Sequence, residues 1–116
     1  MGGASSRRKG HSFERKVAQR MREAMPGVEI KRGLQSRGGG AEEADVEMPF
    51  LHVECKIGKR PSPRAALSQA VRDAKPGKIP IAVVQDDRQE PFVVLRLDDF
   101  LDALNEWFTA GGGMDG

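Results

Sequence analysis

Apolar and polar residues alternate over a short segment near the middle of the chain, which is the pattern of a β-strand. In the segment 51–57 the odd positions are apolar, and the even positions are His52, Glu54 and Lys56. Side chains along a strand point alternately to the two faces of a sheet. This strand is therefore predicted to bury its odd residues and to present a carboxylate and an ammonium group on the opposite face.

The segment just before it, 45–48, alternates in the same way and is joined to it by a Pro-Phe pair. If that pair forms a hairpin tip, paired residue numbers sum to 99, so that Asp45 lies opposite Glu54 and Glu47 opposite His52. Like charges directly opposite each other destabilise a hairpin. The facing carboxylates therefore indicate a bound divalent cation, with Glu47 and His52 expected at the rim of the site.

The remaining elements follow from helical and strand periodicity and from their capping residues. Before the hairpin they are a helix from about His11 to Met25, a strand at 28–32 and a loop at 34–43. After it come a helix that begins at Ser62-Pro63 and ends at Pro76-Gly77, and strands at 79–85 and 92–97. A last helix is capped by Asp98 and is expected to face inward with Phe100, Leu101, Leu104, Trp107 and Phe108. The helix between 51–57 and 79–85 is a crossover of the kind that joins parallel strands. The predicted fold is α/β, with a mixed five-stranded sheet flanked by helices in the order αβββαββα.

Length and composition place the chain among single-domain proteins, since it has 116 residues and a mass of 12.7 kDa. We expect a flexible basic arm at 1–10, the folded domain at 11–108 and a flexible tail at 109–116. The one cysteine, Cys55, excludes an internal disulfide and a zinc site built from thiolates. Because no apolar run approaches a membrane span or a secretion signal, a cytoplasmic protein is expected.

Basic residues are clustered although the net charge is only +2. Clustered lysine and arginine favour binding to a polyanion, while a solvated surface is the alternative for any single cluster. The candidate nucleic-acid contacts are Arg7, Arg8, Lys9, Arg15, Lys16, Arg37, Lys59, Arg60 and Arg64.

Four features follow one another along the chain: Glu14 on the predicted first helix, Asp45 on the hairpin, the segment Glu54-Cys55-Lys56 and the crossover helix after it. Together they resemble the PD-(D/E)XK nuclease superfamily. Within the superfamily the chain is most similar to the small Holliday-junction resolvases of archaeal and phage type. Their first helix opens with Gly-x-x-Phe-Glu-Arg, which matches residues 10–15 here. One departure is Ala44, which stands where the superfamily often has proline before the aspartate.

The resemblance implies a restriction-endonuclease-like core and a Mg²⁺-dependent endonuclease of branched DNA, active in DNA recombination, with Mn²⁺ able to substitute. It also implies a role for each matching residue. Asp45 and Glu54 would bind the metal together with the main-chain carbonyl of Cys55, and Glu14 would be an accessory ligand, directly or through water. Lys56 would orient the attacking water or balance charge. Gln69 on the crossover helix would be a possible accessory residue.

Two alternatives to a junction resolvase stay open from the sequence. One is a nuclease of the same fold with another DNA substrate, of nicking, exonucleolytic or restriction type; the other is a DNA-binding protein without catalysis. A resolvase is also expected to be a homodimer, because paired incision of a two-fold-symmetric junction needs two active sites. The strand at 92–97 and the residues Trp107 and Phe108 are the candidate interface.

Overall fold

The structure, a computed structural model, describes residues 3–33 and 44–111; for residues 3–6 only the backbone is described. Its elements are α1 (Gly3–Ala24), β1 (Lys31–Arg32), β2 (Val46–Glu47), β3 (Leu51–Gly58), α2 (Pro63–Asp73), β4 (Ile79–Asp86), β5 (Phe92–Val94) and α3 (Leu97–Thr109). The order αβββαββα and the mixed sheet are confirmed.

The five strands form one sheet in the order β1-β2-β3-β4-β5. The β3 and β4 strands are parallel, and the other neighbours are antiparallel. Helix α2 is the crossover that makes the parallel pair possible, because parallel strands cannot be joined by a tight turn. In the β2–β3 hairpin Val46 pairs with Val53 and Glu47 with His52, which is the predicted register.

The two faces of the sheet are covered by different helices. On one face α1 packs Phe13, Val17 and Ala18 against Val53 and the other odd residues of β3 and β4. On the other face α2 packs Ala66 against Ala82 and Val84 of β4. The predicted apolar parity of β3 is confirmed, but its even face is covered as well, and this changes the surroundings of the acidic residues.

Helix α1 begins at Gly3, well before the predicted start at His11. Residues 3–10, expected to belong to a flexible arm, are helical in the structure. The turns before His11 contain Arg7, Arg8 and Lys9, and they can continue the helix because arginine and lysine are good helix formers. The ammonium of Lys9 also lies 2.9 Å from the carboxylate of Asp87, so this end of the helix contacts the β4–β5 turn.

Two strands are shorter than predicted. Only Lys31 and Arg32 of the first predicted strand pair with β2. Just before them, the carbonyl of Ile30 accepts a hydrogen bond from Arg22 Nε at 2.7 Å. The last strand ends at Val94 because α3 begins at Leu97. Arg96, not Asp98, occupies the position before the helix, and Asp98 lies in its first turn.

The expectation that α3 packs its apolar residues inward is wrong. No residue of α3 is fully buried, and Leu97, Phe100, Leu101, Trp107 and Phe108 are each at least 45% exposed. Helical periodicity identifies an apolar face correctly, but it does not say what that face contacts.

Candidate active site

The centre of the site is a pair of buried carboxyl groups, Asp45 and Glu54. Asp45 precedes β2 and extends the hairpin, because its main-chain N–H donates to the carbonyl of Val53 at 2.8 Å. Its carboxylate accepts a hydrogen bond from the main-chain N–H of Cys55 at 2.7 Å. Asp45 is 8% exposed and Glu54 6% exposed, and the two side chains are within hydrogen-bonding reach. The hairpin therefore brings together the two residues that the register placed opposite each other.

A third carboxyl group, that of Glu14 on α1, lies close enough to Asp45 for the charge of Asp45 to raise its pKa. Burial and, to a smaller extent, the charge of Asp45 raise the pKa of Glu14, Arg32 and Arg15 lower it, and the net result is a pKa of about 7. Arg32 Nε lies 3.7 Å from the Glu14 carboxylate. Burial, followed by the charge of Asp45, raises the pKa of Glu54 to about 8. Glu14 and Glu54 thus hold negative charge poorly by themselves.

His52 is not a rim residue, contrary to the expectation. It is 2% exposed, and its Nε2 atom lies 2.9 Å from Oε2 of Glu54. The reason is that α2 covers this face of β3, which strand periodicity does not reveal. Burial lowers the pKa of His52 below its usual range, which favours the neutral ring. His52 therefore holds one oxygen of Glu54.

The sequence reasoning also missed two residues next to this pair. Asp73 of α2 is near enough that its charge acts on both His52 and Glu54. Its signal in the sequence was an acidic residue in the last turn of a helix, where the helix dipole disfavours negative charge. Gly33 was the other: its N–H donates to the carbonyl of Asp45 at 2.8 Å.

The other predicted site residues lie on β2, β3 and α2. Lys56 lies two residues beyond Glu54 on the same face of β3 and is exposed. Cys55 directs its side chain to the opposite face, where it packs against the core with its thiol pKa raised by burial. Glu47 pairs with His52 and is half-buried. Gln69 is exposed on α2, one turn before Asp73.

The predicted DNA contacts are spread along three parts of the chain, and all those described are exposed. Arg7, Arg8, Lys9, Arg15 and Lys16 lie on α1, Lys59 and Arg60 follow β3, and Arg64 lies on α2; Arg37 lies outside the described residues. Arg7 is seven residues before Glu14, so both are on one stripe of α1. Lys16 instead lies beside a groove between α1 and β5.

A divalent cation such as Mg²⁺ needs oxygen ligands, and the carboxyl groups of Asp45 and Glu54 supply them in this site. Within 3–33 and 44–111 no group of three or more His, Cys, Asp or Glu side chains is spaced to hold a metal. Mg²⁺, however, is usually bound by one or two carboxylates and completes its shell with water and substrate phosphate. The buried carboxylates of Asp45 and Glu54 fit that requirement. A bound cation would oppose both the burial and the nearby charge of Asp45 that raise the pKa of Glu54.

None of the helices in the described part of the chain has the length and apolar character needed to cross a membrane. Residues 5–110 match the model of a family described as "Phage putative PDDEXK endonuclease". Searches of curated proteins and of solved structures gave no significant match.

Proposed function

Since the chain belongs to this family of phage PD-(D/E)XK endonucleases, we propose that it is a Mg²⁺-dependent endonuclease that cuts branched DNA in the manner of a Holliday-junction resolvase. The observation that carries the nuclease chemistry is the buried pair Asp45 and Glu54 on the two sides of the β2–β3 hairpin, with Lys56 exposed on the same face as Glu54. The preference for branched DNA rests on the similarity of residues 10–15 to the opening of the resolvase helix.

In this proposal Asp45 and Glu54 hold the cation, together with the main-chain carbonyl of Cys55. The N–H and C=O of a strand residue point to the same side of the strand. Because the N–H of Cys55 donates to the Asp45 carboxylate, the carbonyl of Cys55 also points toward Asp45. When bound, the cation supplies polarisation of the phosphate and a more acidic water.

The surrounding residues position these groups. His52 holds Oε2 of Glu54 and leaves the other carboxylate oxygen for the cation. Glu14 serves as the accessory ligand, directly or through water, from the α1 side of Asp45. Lys56 orients the attacking water or stabilises the charge that develops on the phosphate. The exposed basic residues of α1 and of the segment after β3 hold the DNA backbone, which fixes its position but reads no sequence.

A cleavage assay with Mg²⁺ on a four-way junction, a linear duplex and single-stranded DNA tests the proposal directly. The expected result is cleavage of the junction in preference to the other two, abolished in Asp45→Asn and Glu54→Gln and sustained when Mn²⁺ replaces Mg²⁺. Equal cleavage of the duplex would replace the resolvase by a nicking or restriction-type nuclease. Binding of DNA with no cleavage of any substrate would leave a DNA-binding protein without catalysis.

The proposal also includes a homodimer, because one chain offers one active site. A four-way junction has two-fold symmetry, so paired incision needs two sites related by the same symmetry.

A further inference from the structure

A basic depression lies between α1 and β1. It has a volume of about 580 Å³ and is lined by Arg15, Ala18, Gln19 and Arg22 of α1 and by Arg32 of β1. The other three residues of α1 follow Arg15 by three, four and seven positions, which places them on one side of the helix. Among the described residues that line this depression, every charged one is an arginine.

The basic depression adjoins the candidate active site through β1. Arg32 Nε lies 3.7 Å from the carboxylate of Glu14. The next residue along the chain, Gly33, donates its N–H to the carbonyl of Asp45 at 2.8 Å. The depression is therefore placed beside two of the candidate metal ligands, and a DNA strand whose phosphate is held at Asp45 can continue into it.

Arg22 is held in one orientation by contacts within the chain. Its Nε donates to the main-chain carbonyl of Ile30 at 2.7 Å, and its Nη1 donates to Oε1 of Gln19 at 3.3 Å. A guanidinium group has five N–H donors, and these contacts use two of them. Because the side chain is already ordered, less conformational entropy is lost when it binds an anion. This distinguishes Arg22 from an arginine that is merely solvated.

The charge of the depression favours an anion that can accept several hydrogen bonds. Two carboxyl groups lie at its margin without lining it: Glu14 faces Arg32, and Glu23 accepts a hydrogen bond from Gln19 Nε2 at 3.0 Å. Three guanidinium groups around one concave surface repel one another, and a bound anion relieves this repulsion. Phosphate is the anion whose oxygens match the paired N–H donors of arginine.

We propose that this depression binds a backbone phosphate of the DNA, near the phosphate that is cleaved, with Arg15, Arg22 and Arg32 as its donors. The choice of DNA as the source of the phosphate rests on the proposed function, while the anion site is argued from the arginines alone. Arg22 and Arg32 are not among the contacts that the sequence suggested, because only the fold brings α1 and β1 together. The contact positions the strand and reads no sequence.

Chemical modification of the arginines of the wild-type protein, in EDTA, tests where the DNA lies. Phenylglyoxal reacts with accessible guanidinium groups, and peptide mass spectrometry measures the extent of reaction at each arginine. A four-way junction and a linear duplex, in separate reactions, should each protect Arg15, Arg22 and Arg32. Arg20 is the matched control, because it lies on the other side of the same helix and lines the groove between α1 and β5. It should stay reactive when DNA is bound.

Substitution of the same arginines tests what the contact contributes. Arg22→Gln should weaken binding to both DNA forms about tenfold and reduce the slope of log affinity against log salt by about one unit. Arg22→Lys keeps the charge and should keep the slope, and Arg20→Gln should change neither quantity. Arg15→Gln is the second test variant, because the described contact of Arg15 is with Ser12 on its own helix, so its loss should leave the Tm unchanged. It should reduce the slope as Arg22→Gln does.

Three results would overturn the proposal. Equal protection of Arg20 and Arg22 would mean that DNA covers α1 without using the depression. Protection of Arg22 by inorganic phosphate but not by DNA would assign the site to a free phosphate ion. An unchanged salt slope in both Arg15→Gln and Arg22→Gln would leave ordinary solvated arginines.

The nuclease proposal and the phosphate site can fail separately, because all these measurements are made without metal and without cleavage. A protein that shows the expected protection but cuts no DNA would contradict the nuclease proposal alone. A protein that cuts DNA while these arginines stay reactive in its complex with DNA would contradict the phosphate site alone.

Discussion

At the scale of single residues, the site is a cluster of acidic groups whose charges oppose folding. Glu54 has an ordinary pKa of 4.5, which burial and Asp45 raise to about 8 in the folded protein. An acid with a raised pKa in the folded state contributes no penalty below about pH 4.5. It costs stability progressively as the pH rises through the folded pKa.

We therefore expect that, in EDTA, the Tm of the wild-type protein falls as the pH rises from 5 to 9. The decrease should be smaller in Glu54→Gln, and the variant should be the more stable protein at pH 9. Mg²⁺ should raise the Tm of the wild-type protein at pH 9 but not that of the variant. Thermal melts at several pH values measure this, with the exposed Glu29→Gln as control; a Glu54→Gln variant less stable than wild type at pH 9 would contradict the assignment.

Gly33 gives a second prediction at this scale. A Cβ atom there would overlap the main-chain carbonyl oxygen of Ala44, next to Asp45. Gly33→Ala should therefore destabilise the protein by about 1–3 kcal/mol and lower the cleavage rate, because Asp45 is displaced. Gly10→Ala is the matched control, since a Cβ there meets nothing and alanine is the better helix former by about 1 kcal/mol. Denaturant melts should show opposite signs for the two variants.

At the scale of secondary-structure elements, the β2–β3 hairpin determines where the carboxylates meet, yet its tip is strained. Phe50 has φ 73°, in the left-handed region, and is 72% exposed. Phe50→Asn should stabilise the fold by about 1 kcal/mol, because asparagine tolerates this conformation. Phe50→Ala removes the same ring but keeps the strained conformation, so it should bring no comparable gain. Chemical denaturation of both variants measures the difference.

Helix α1 gives a prediction about DNA contacts. Arg7 lies on the stripe of α1 that carries Glu14, while Lys9 is engaged by Asp87. Arg7→Glu should weaken junction and duplex binding to a similar extent and reduce the slope of log affinity against log salt by about one unit. Arg72→Glu on α2, an equal change of charge at an exposed position, should change binding less. Binding titrations at several salt concentrations without Mg²⁺ measure the DNA affinity of both variants. If Arg7→Glu and Arg72→Glu weaken binding equally, only the net charge of the protein matters.

At the scale of the whole molecule, the proposed homodimer would couple two active sites on one junction. In mixtures of wild-type protein with an excess of Glu54→Gln, most wild-type chains would be in mixed dimers with one working site. Such mixtures should convert a cruciform plasmid mainly to the nicked circle, whereas the wild-type dimer should give the linear form. Quantifying the two products on a gel measures the coupling. An unchanged proportion of linear product would show that the two incisions come from separate binding events.

The amino-acid sequence determined the element order, the hairpin register and the facing positions of Asp45 and Glu54. These depend on short-range rules, since period-two alternation and a two-residue tip fix which side chains share a face. The family resemblance at superfamily level was likewise readable from a few residues, because metal-dependent phosphodiester chemistry needs particular groups on adjacent strands.

The tertiary structure decided what covers each face. Only the packing of α2 over β3 shows that His52 is buried against Glu54 and that Asp73 acts on both, because residues distant in sequence meet there. The close approach of Gly33 to Ala44 and the contact of Lys9 with Asp87 have the same non-local origin. The apolar stripe of α3 could be predicted from the sequence, but its exposure could not. Periodicity shows how a helix is divided into an apolar and a polar face, and it carries no information about what packs against them.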